Sequence, residues 1–302
     1  MLVQADSWER IRGLTLQGLG SEHSRRAYAK ALDDFVSWWQ SNPRPLTREV
    51  ILVWLELLKA RGLSSSTINL RLSAIRKLAR EAAYSGAAPY EVVLGIEKTK
   101  GIKRLGVRLG NWLEVAQAQE LLNAPDIKTF KGIRDQMILA LLLGAGLRRD
   151  ELSKLTLEDI QQRAGRWVIV DLKGKGGRIR TVPMPSWAKT TLDIWVEIAN
   201  ITKGLICLET RKGGHITTMG MTPQAIRNVV AEYGKKIGIN IAPHDLRRTF
   251  AHLAFEHKAP LDQIQLTLGH ASIQTTERYL GIKQNLHNAP CDKIPLELRI
   301  DG

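Results

Sequence analysis

The chain has 302 residues, and 44 Lys+Arg against 30 Asp+Glu leave a formal net charge of +14 and a pI near 9.9. That length accommodates two ordinary domains with real cores, and 44% hydrophobic with 25% charged residues excludes a disordered chain. The positive excess runs through the whole sequence, so an anionic polymer is the natural partner; a basic surface kept for solubility is the ordinary alternative, and composition does not separate the two.

The N-terminal MLVQADSWER lacks the basic start and apolar core of a signal peptide. Residues 24–40 place Tyr28, Leu32, Phe35 and Trp39 on one face and predict the first helix. A second begins after Thr47 and stops at Gly62. A third starts in the serine cluster 64–66 and runs to about Tyr84, with Ile68, Leu72, Ile75, Ala79 and Ala82 on its apolar face. Its opposite face collects Asn69, Ser73, Arg76, Lys77 and Arg80 with no acid until Glu81. Arg71, Arg76, Lys77 and Arg80 are therefore candidate phosphate contacts, although a polar face is usually only a solvated one.

After Gly95 the composition changes. EKTKGIKRLGVRLGN holds Lys98, Lys100, Lys103, Arg104 and Arg108 among three glycines, which predicts a basic, extended linker whose cations also contact DNA. A second domain begins at Trp112. Residues 132–143 are apolar on nearly every side and predict a buried helix, yet the most apolar stretch, 137–143, is far too short to span a bilayer. Residues 167–172 and 178–182 predict two strands joined by a Lys-Gly-rich turn. Helices resume at 187–199 and at Thr222-Pro223, a cap followed by proline at the first helical position. Short helices continue to Gly281. The expected fold class is mainly α, with a small sheet in the second domain. Cys207 and Cys291 have no metal-ligand spacing around them and suggest no disulfide framework, so a cytoplasmic setting is the default.

Five short motifs carry chemistry. GAGLRRDEL sets Arg148 after a buried helix and a glycine turn, and LKGKGGRIRTVPMP sets Lys175 at a hairpin tip. PHDLRRTFAH puts His244 and Arg247 on one helical face. LGHASIQTT sets His270 after a glycine helix stop, and ERYLG sets Tyr279 nine positions further on. Alone, each has an ordinary explanation: a surface ion pair, a solvated lysine, a helix-start histidine, a core tyrosine. Together they form a phosphoryl-transfer set. Two planar guanidiniums clamp the non-bridging oxygens of a phosphate. Clustered cations are expected to lower the phenol pKa of Tyr279. A lysine on a hairpin can protonate a leaving hydroxyl, and the histidines can donate to the phosphate or move the tyrosine proton.

At these residues the sequence resembles the tyrosine recombinase, or phage-integrase, family, whose catalytic order is Arg, Lys, His-x-x-Arg, His or Trp, then Tyr. The resemblance assigns Arg148, Lys175, His244, Arg247, His270 and Tyr279 to that set, with Glu151 in support. It covers nearly the whole chain, since SRRAYAKALDDFVSWW and LSSSTINLRLSAIRKLA are similar to the family's N-terminal core-binding domain. It implies a core-binding domain over 1–96, a linker over 97–111 and a catalytic domain with a C-terminal tail over 112–302. It also implies a 3′-phosphotyrosyl intermediate on Tyr279, a free 5′-hydroxyl, a Holliday junction and a homo-tetramer on double-stranded DNA, with accessory DNA-bending proteins as further partners. No metal, ATP or other cofactor is implied, and no membrane.

Arg248 stands where many members carry a second histidine, and Leu280-Gly281 follows the tyrosine where a threonine-histidine pair is frequent. Neither departure is expected to touch the catalytic set. Few residues precede the first predicted helix, so a separate arm-binding domain is not expected, which favours a Xer-like or mobile-element type. A type IB topoisomerase and a non-catalytic basic DNA-binding regulator are the alternatives: the first would relax DNA without joining sites, and the second leaves the catalytic set as coincidence. The alternation of Ile294, Leu296, Leu298 and Ile300 reads as strand-like; a frayed or cis-packed terminus is the ordinary reading, and the resemblance suggests the alternative that this tail docks on a neighbouring subunit.

Overall fold

The computed structural model describes residues 5–103, 111–174, 177, 179–211 and 213–281. Arg104, Lys175 and the segment 294–300 lie outside the described residues. The chain divides into two compact units, Met1–Val107 and Arg108–Gly302.

The first unit holds α1 (Ala5–Gln17), α2 (Glu22–Gln40), α3 (Arg48–Ala60), α4 (Ser65–Tyr84) and α5 (Tyr90–Glu97). Serines cap two of these helices: the Ser21 hydroxyl accepts from the Ser24 amide, and Ser64, in the predicted serine cluster, accepts from the Thr67 amide. Phe35 and Trp54 pack edge to face in the core with ring centroids 4.9 Å apart, beside Leu32, Ile51, Leu58, Ile68, Leu72 and Ile75. Two helices escaped the sequence reading. Among the described side chains of α1 Ile11 alone is a buried apolar one, and α5 is eight residues long, too short for periodicity to declare itself.

The segment expected as a linker, 97–111, is described over 97–103 and at 111. Glu97 ends α5, and residues 98–103 are fastened to α4: Asn69 donates to the Ile102 carbonyl at 2.9 Å and accepts from the Ile102 amide at 2.8 Å, while Arg76 donates to the Thr99 carbonyl. A side-chain amide satisfies both backbone groups of Ile102, and this holds the segment in place despite its glycine and lysines.

The second unit is built on α7 (Phe130–Gly144), preceded by α6 (Val115–Asn123) and followed by the single turn α8 (Arg149–Leu152). Every side chain from Met137 to Leu143 in α7 is buried, which accounts for its lack of a polar face. Burying each such leucine or isoleucine contributes about 1.5–3 kcal/mol. A three-stranded antiparallel sheet follows, in the order β1 (Ile160–Arg163), β2 (Arg166–Lys173), β3 (Ile179–Pro183). Its register shifts between Ile169 and Leu172, where Asp171 takes φ +53°, and beyond the shift Leu172 faces Arg180. After α9 (Ser186–Ile198), a two-stranded ribbon pairs β4 (Leu208–Thr210) with β5 (Ile216–Gly220). These strands and β1 are short and only half buried, which hid them from an alternation test.

The remaining helices are α10 (Pro223–Lys236), α11 (Pro243–Glu256), α12 (Leu261–Leu268) and α13 (Ile273–Leu280). Thr222 caps α10 by accepting from the Ala225 amide at 3.1 Å, as the Thr-Pro signal predicts. A separate small cluster of Ala251, Ile264, Leu268 and Leu280 ties α11, α12 and α13 together. Leu280 is therefore a packing residue, and Gly281 at φ +63° ends α13. Among the described residues, no helix is long and apolar enough to cross a membrane.

Candidate active site

Three backbone features aim the candidate catalytic side chains at one place. The first is the turn after α7, where Gly146 takes φ +57° and a Cβ would meet the Phe250 ring at 2.8 Å. Only glycine fits there, and the Gly146 carbonyl accepts from the Arg247 guanidinium. The second is the start of α11, which presents His244 and, one turn on, Arg247. The third is the C-terminus of α12, ended by Gly269 at φ +63°. Its last carbonyls have no helical partner and lie at the negative end of the helix dipole. Three arginines take them: Leu268 accepts from Arg247 and, at 3.4 Å, from Arg148, while Thr267 accepts from Arg180 at 2.8 Å.

Glu151 joins these guanidiniums. Its carboxylate accepts from the Arg148 side chain at 2.7 Å and from the Arg148 amide at 2.8 Å. The same two oxygens accept from Arg180, each at 2.9 Å. Burial opposes ionisation of Glu151, yet the hydrogen bonds from Arg180 and the Arg148 amide, with both positive charges, hold its carboxyl down at about 2. This ion pair is a rigid mount: Arg180 is 8% exposed and Arg148 32%, so one arginine is buried support and the other keeps a face open.

Arg247 is 1% exposed, and burial followed by the Arg148 charge pushes its pKa down to about 9, still charged near neutral pH. His270 donates or accepts through Nδ1 with the Thr276 hydroxyl at 2.9 Å; burial, then Arg247 and Arg148, push its imidazole down to about 4. His244 is lowered in the same direction by desolvation, then by Arg248 and Arg247. Both imidazoles are neutral near pH 7 and can accept a proton.

Tyr279 sits half buried between them. Its ring meets His244 edge-on at 5.5 Å and His270 at 5.3 Å, and its hydroxyl donates to the His244 carbonyl at 3.3 Å. Here the sequence expectation is overturned. The Tyr279 phenol is raised above its ordinary value, because burial outweighs Arg247 and Arg248, which pull it down. The resting nucleophile candidate is a neutral phenol parked on a carbonyl, so a base must take its proton.

The structure thus brings Arg148, His244, Arg247, His270, Tyr279 and the supporting Glu151 together; Lys175 lies outside the described residues. A cleft of about 380 Å³ opens beside three of them, Arg148, His244 and Arg247, and is lined also by Arg149, Asp150 and Arg227. Sequence reasoning missed Arg180, whose signal was an arginine on the strand just after the hairpin lysine. It also misjudged Arg248, whose guanidinium lies over the Tyr279 ring at 4.8 Å and so touches the catalytic set after all.

The candidate DNA contacts of the first unit divide into two groups. Arg71 pairs with Asp34 of α2, Arg76 with the Thr99 carbonyl, Lys77 with Glu81 at 3.3 Å and Arg80 with Glu97 of α5 at 2.6 Å. Two of the acids that compensate this face, Asp34 and Glu97, come from neighbouring helices, which a reading of α4 alone could not see. Lys98, Lys100 and Lys103 are exposed and have no ion-pair partner among the described residues.

Comparison with known proteins shows the family. Residues 111–285 match the phage integrase family model, and residues 11–86 match the model of the phage integrase N-terminal SAM-like domain. Tyrosine recombinase XerC of Thermodesulfovibrio yellowstonii is 32% identical over 277 residues, 90% of each chain. Tyrosine recombinase XerA of Pyrococcus furiosus is 30% identical over 275 residues, 89% of this chain and 86% of its own. The fold is also that of XerH site-specific recombinase bound to difH substrate (TM-score 0.66, 19% identity, 87% of this chain and 76% of that one). A lambda integrase dimer bound to a core site shares it as well (TM-score 0.68, 16% identity, 98% and 80%). The chain belongs to the phage integrase family, the tyrosine-type site-specific recombinases that cut and rejoin DNA.

Proposed function

We propose that the chain binds double-stranded DNA recombination sites as a Xer-like recombinase and cuts each strand with Tyr279. The observation that carries this reading is the gathering of His244, His270, Arg247 and Arg148 around Tyr279, beside a cleft whose lining arginines outnumber its one carboxylate, Asp150. A phosphodiester supplies the missing negative charge. Arg148 and Arg247 hold its two non-bridging oxygens and stabilise the charge that builds there during attack.

The step balances as follows. His244 or His270, each neutral, accepts the phenol proton as the Tyr279 oxygen attacks phosphorus. The bond from phosphorus to the 5′-oxygen breaks, and that oxygen takes a proton from Lys175. The product is a 3′-phosphotyrosyl ester and a free 5′-hydroxyl. Bond energy stays in the ester, and attack by a 5′-hydroxyl from a partner strand reverses the chemistry. Paired exchanges then pass through a Holliday junction in a homo-tetramer. Both units engage the duplex, with Lys98, Lys100 and Lys103 as phosphate contacts of the first.

The test is product analysis on a plasmid carrying two copies of the protein's own site, found by footprinting. Recombinant circles and a 3′-linked protein adduct are expected. Relaxed plasmid without recombinants would contradict the proposal, as would a 5′-linked adduct.

A further inference from the structure

The one departure from the family pattern that lies in the site is Arg248. It occupies α11 directly after Arg247, and its guanidinium carbon lies 4.8 Å from the centroid of the Tyr279 ring. Among the described residues no carboxylate pairs with it, and its buried Nε has no hydrogen-bond partner. Arg148 and Arg180, by contrast, are tied to Glu151, and Arg247 to two carbonyls. One turn further along α11, His252 stacks on Trp112 at 4.1 Å and also leaves a buried ring nitrogen, Nε2, without a partner. Burial and then the Arg248 charge lower the His252 pKa, so that imidazole is neutral and offers no counter-charge.

Among the described residues this half-buried cation has no counter-ion, and it lies over the aromatic ring of Tyr279. A guanidinium over a phenol face is attracted by the ring's quadrupole. It is attracted far more strongly once the phenol oxygen becomes negative, because a phenolate carries a full charge. The contact therefore favours the ionised ring over the neutral one. It also fixes the plane of a ring otherwise held by one long hydrogen bond to the His244 carbonyl at 3.3 Å.

We infer that Arg248 is a positioning residue for the nucleophile: it stacks on Tyr279, sets the ring's orientation and stabilises the phenolate that forms as the proton leaves. This rests on the reading of Tyr279 as the nucleophile. The other groups that face the ring are Arg247, His244 and Asp245 from α11, Arg148 at the start of α8, and His270 after α12. Arg247 and Arg148 are already turned to carbonyls and to Glu151, and Asp245 accepts from the Ala242 amide at 2.9 Å. Arg248 is the cation whose side chain is given to the ring.

The experiment measures covalent-adduct formation in single turnover on a nicked suicide substrate across a pH series. It compares the full chain with Arg248→Met, Arg248→Lys and Arg248→His, with half-site binding and thermal unfolding recorded for each. Arg248→Met keeps an unbranched apolar stem and loses the charge. It is expected to bind the half-site normally, to cleave roughly tenfold more slowly near neutral pH and to move the rising limb of the pH profile up by about one unit, since one unit is a tenfold change. Arg248→Lys keeps the charge without the plane, so its limb stays near that of the wild type while its rate falls. Should the methionine variant fail to fold, Arg248→His serves in its place and moves the limb upward, because imidazole is neutral above its own pKa. An unshifted limb in the methionine or histidine variant, whether the rate is unchanged or uniformly reduced, overturns the inference. A Tyr279→Phe control separates the two readings: an adduct in that control refutes the nucleophile assignment, whereas its absence together with an unshifted Arg248 limb refutes only the role of Arg248.

Discussion

The α4 face of the first unit and the cleft of the second are both rich in arginine, and they differ in who supplies the negative charge. Around α4 the acids are internal: Asp34 meets Arg71, Glu81 meets Lys77 and Glu97 meets Arg80. Around Tyr279 and Arg247, the guanidiniums of Arg148, Arg180, Arg247 and Arg248 gather beside the carboxylates of Glu151 and Asp245. An unbalanced buried cation is expensive unless function requires it. The same residue type is thus architecture where its charge is answered within the chain, and chemistry where the answer must come from a ligand. Counting arginines does not distinguish these cases. Counting their partners does.

The largest effect expected from breaking this contrast comes from Arg148 and Arg247. Arg148→Ala and Arg247→Ala should each lower adduct formation on a suicide substrate by about 10²–10³, the cost of removing one donor to a developing oxyanion. Binding to a half-site should fall much less. Because Arg247 also bridges Gly146 to Leu268, its alanine variant should melt earlier than that of Arg148. Equal loss of binding and cleavage would place these arginines among general DNA contacts.

A middle-sized effect is expected at Arg180, which belongs to the cleft in sequence but to architecture in its pairing. Arg180→Met leaves Glu151 with Arg148 alone and should destabilise the second unit by roughly 3 kcal/mol, at the low end for breaking a buried pair. Cleavage should fall about tenfold through the looser mount of Arg148. Arg180→Lys, which keeps the charge but not the two-pronged fork, should recover part of the rate. Denaturant unfolding and single-turnover cleavage together check this; a variant that loses stability but cleaves at the full rate would remove Arg180 from the site.

The smallest effect sharpens the comparison within the first unit itself. Lys98→Ala and Lys100→Ala should each reduce the slope of log affinity against log salt by about 0.9, the share of one phosphate contact. Arg71→Ala and Arg76→Ala should leave that slope unchanged and lower the unfolding midpoint, since their partners are Asp34 and the Thr99 carbonyl. A slope that falls for Arg71→Ala would mean that its pair with Asp34 opens on DNA.

Much of this arrangement was legible in the sequence because it is written in local signals. The serine cluster 64–66 and Thr222-Pro223 mark helix starts, an all-round apolar run marks α7, and Gly146 and Gly269 mark the turns that precede Arg148 and His270. What was not legible is non-local. The acids opposite α4 arrive from α2 and α5, the anchoring of Ile102 depends on Asn69 thirty-three positions earlier, and Arg180 reaches Glu151 across a fold contact. The sign of the Tyr279 shift failed for the same reason. Neighbouring cations can be inferred from motifs, but burial, which outweighs them, belongs to the packed structure.

The most direct test of the account is to trap the protein on a nicked site, digest the adduct and identify by mass spectrometry the residue carrying the nucleotide. The account predicts one modified peptide, bearing a 3′-phosphoryl nucleotide on Tyr279, and its complete absence from Tyr279→Phe with half-site binding retained. A nucleotide on any other residue, or an adduct that persists in the phenylalanine variant, would contradict it.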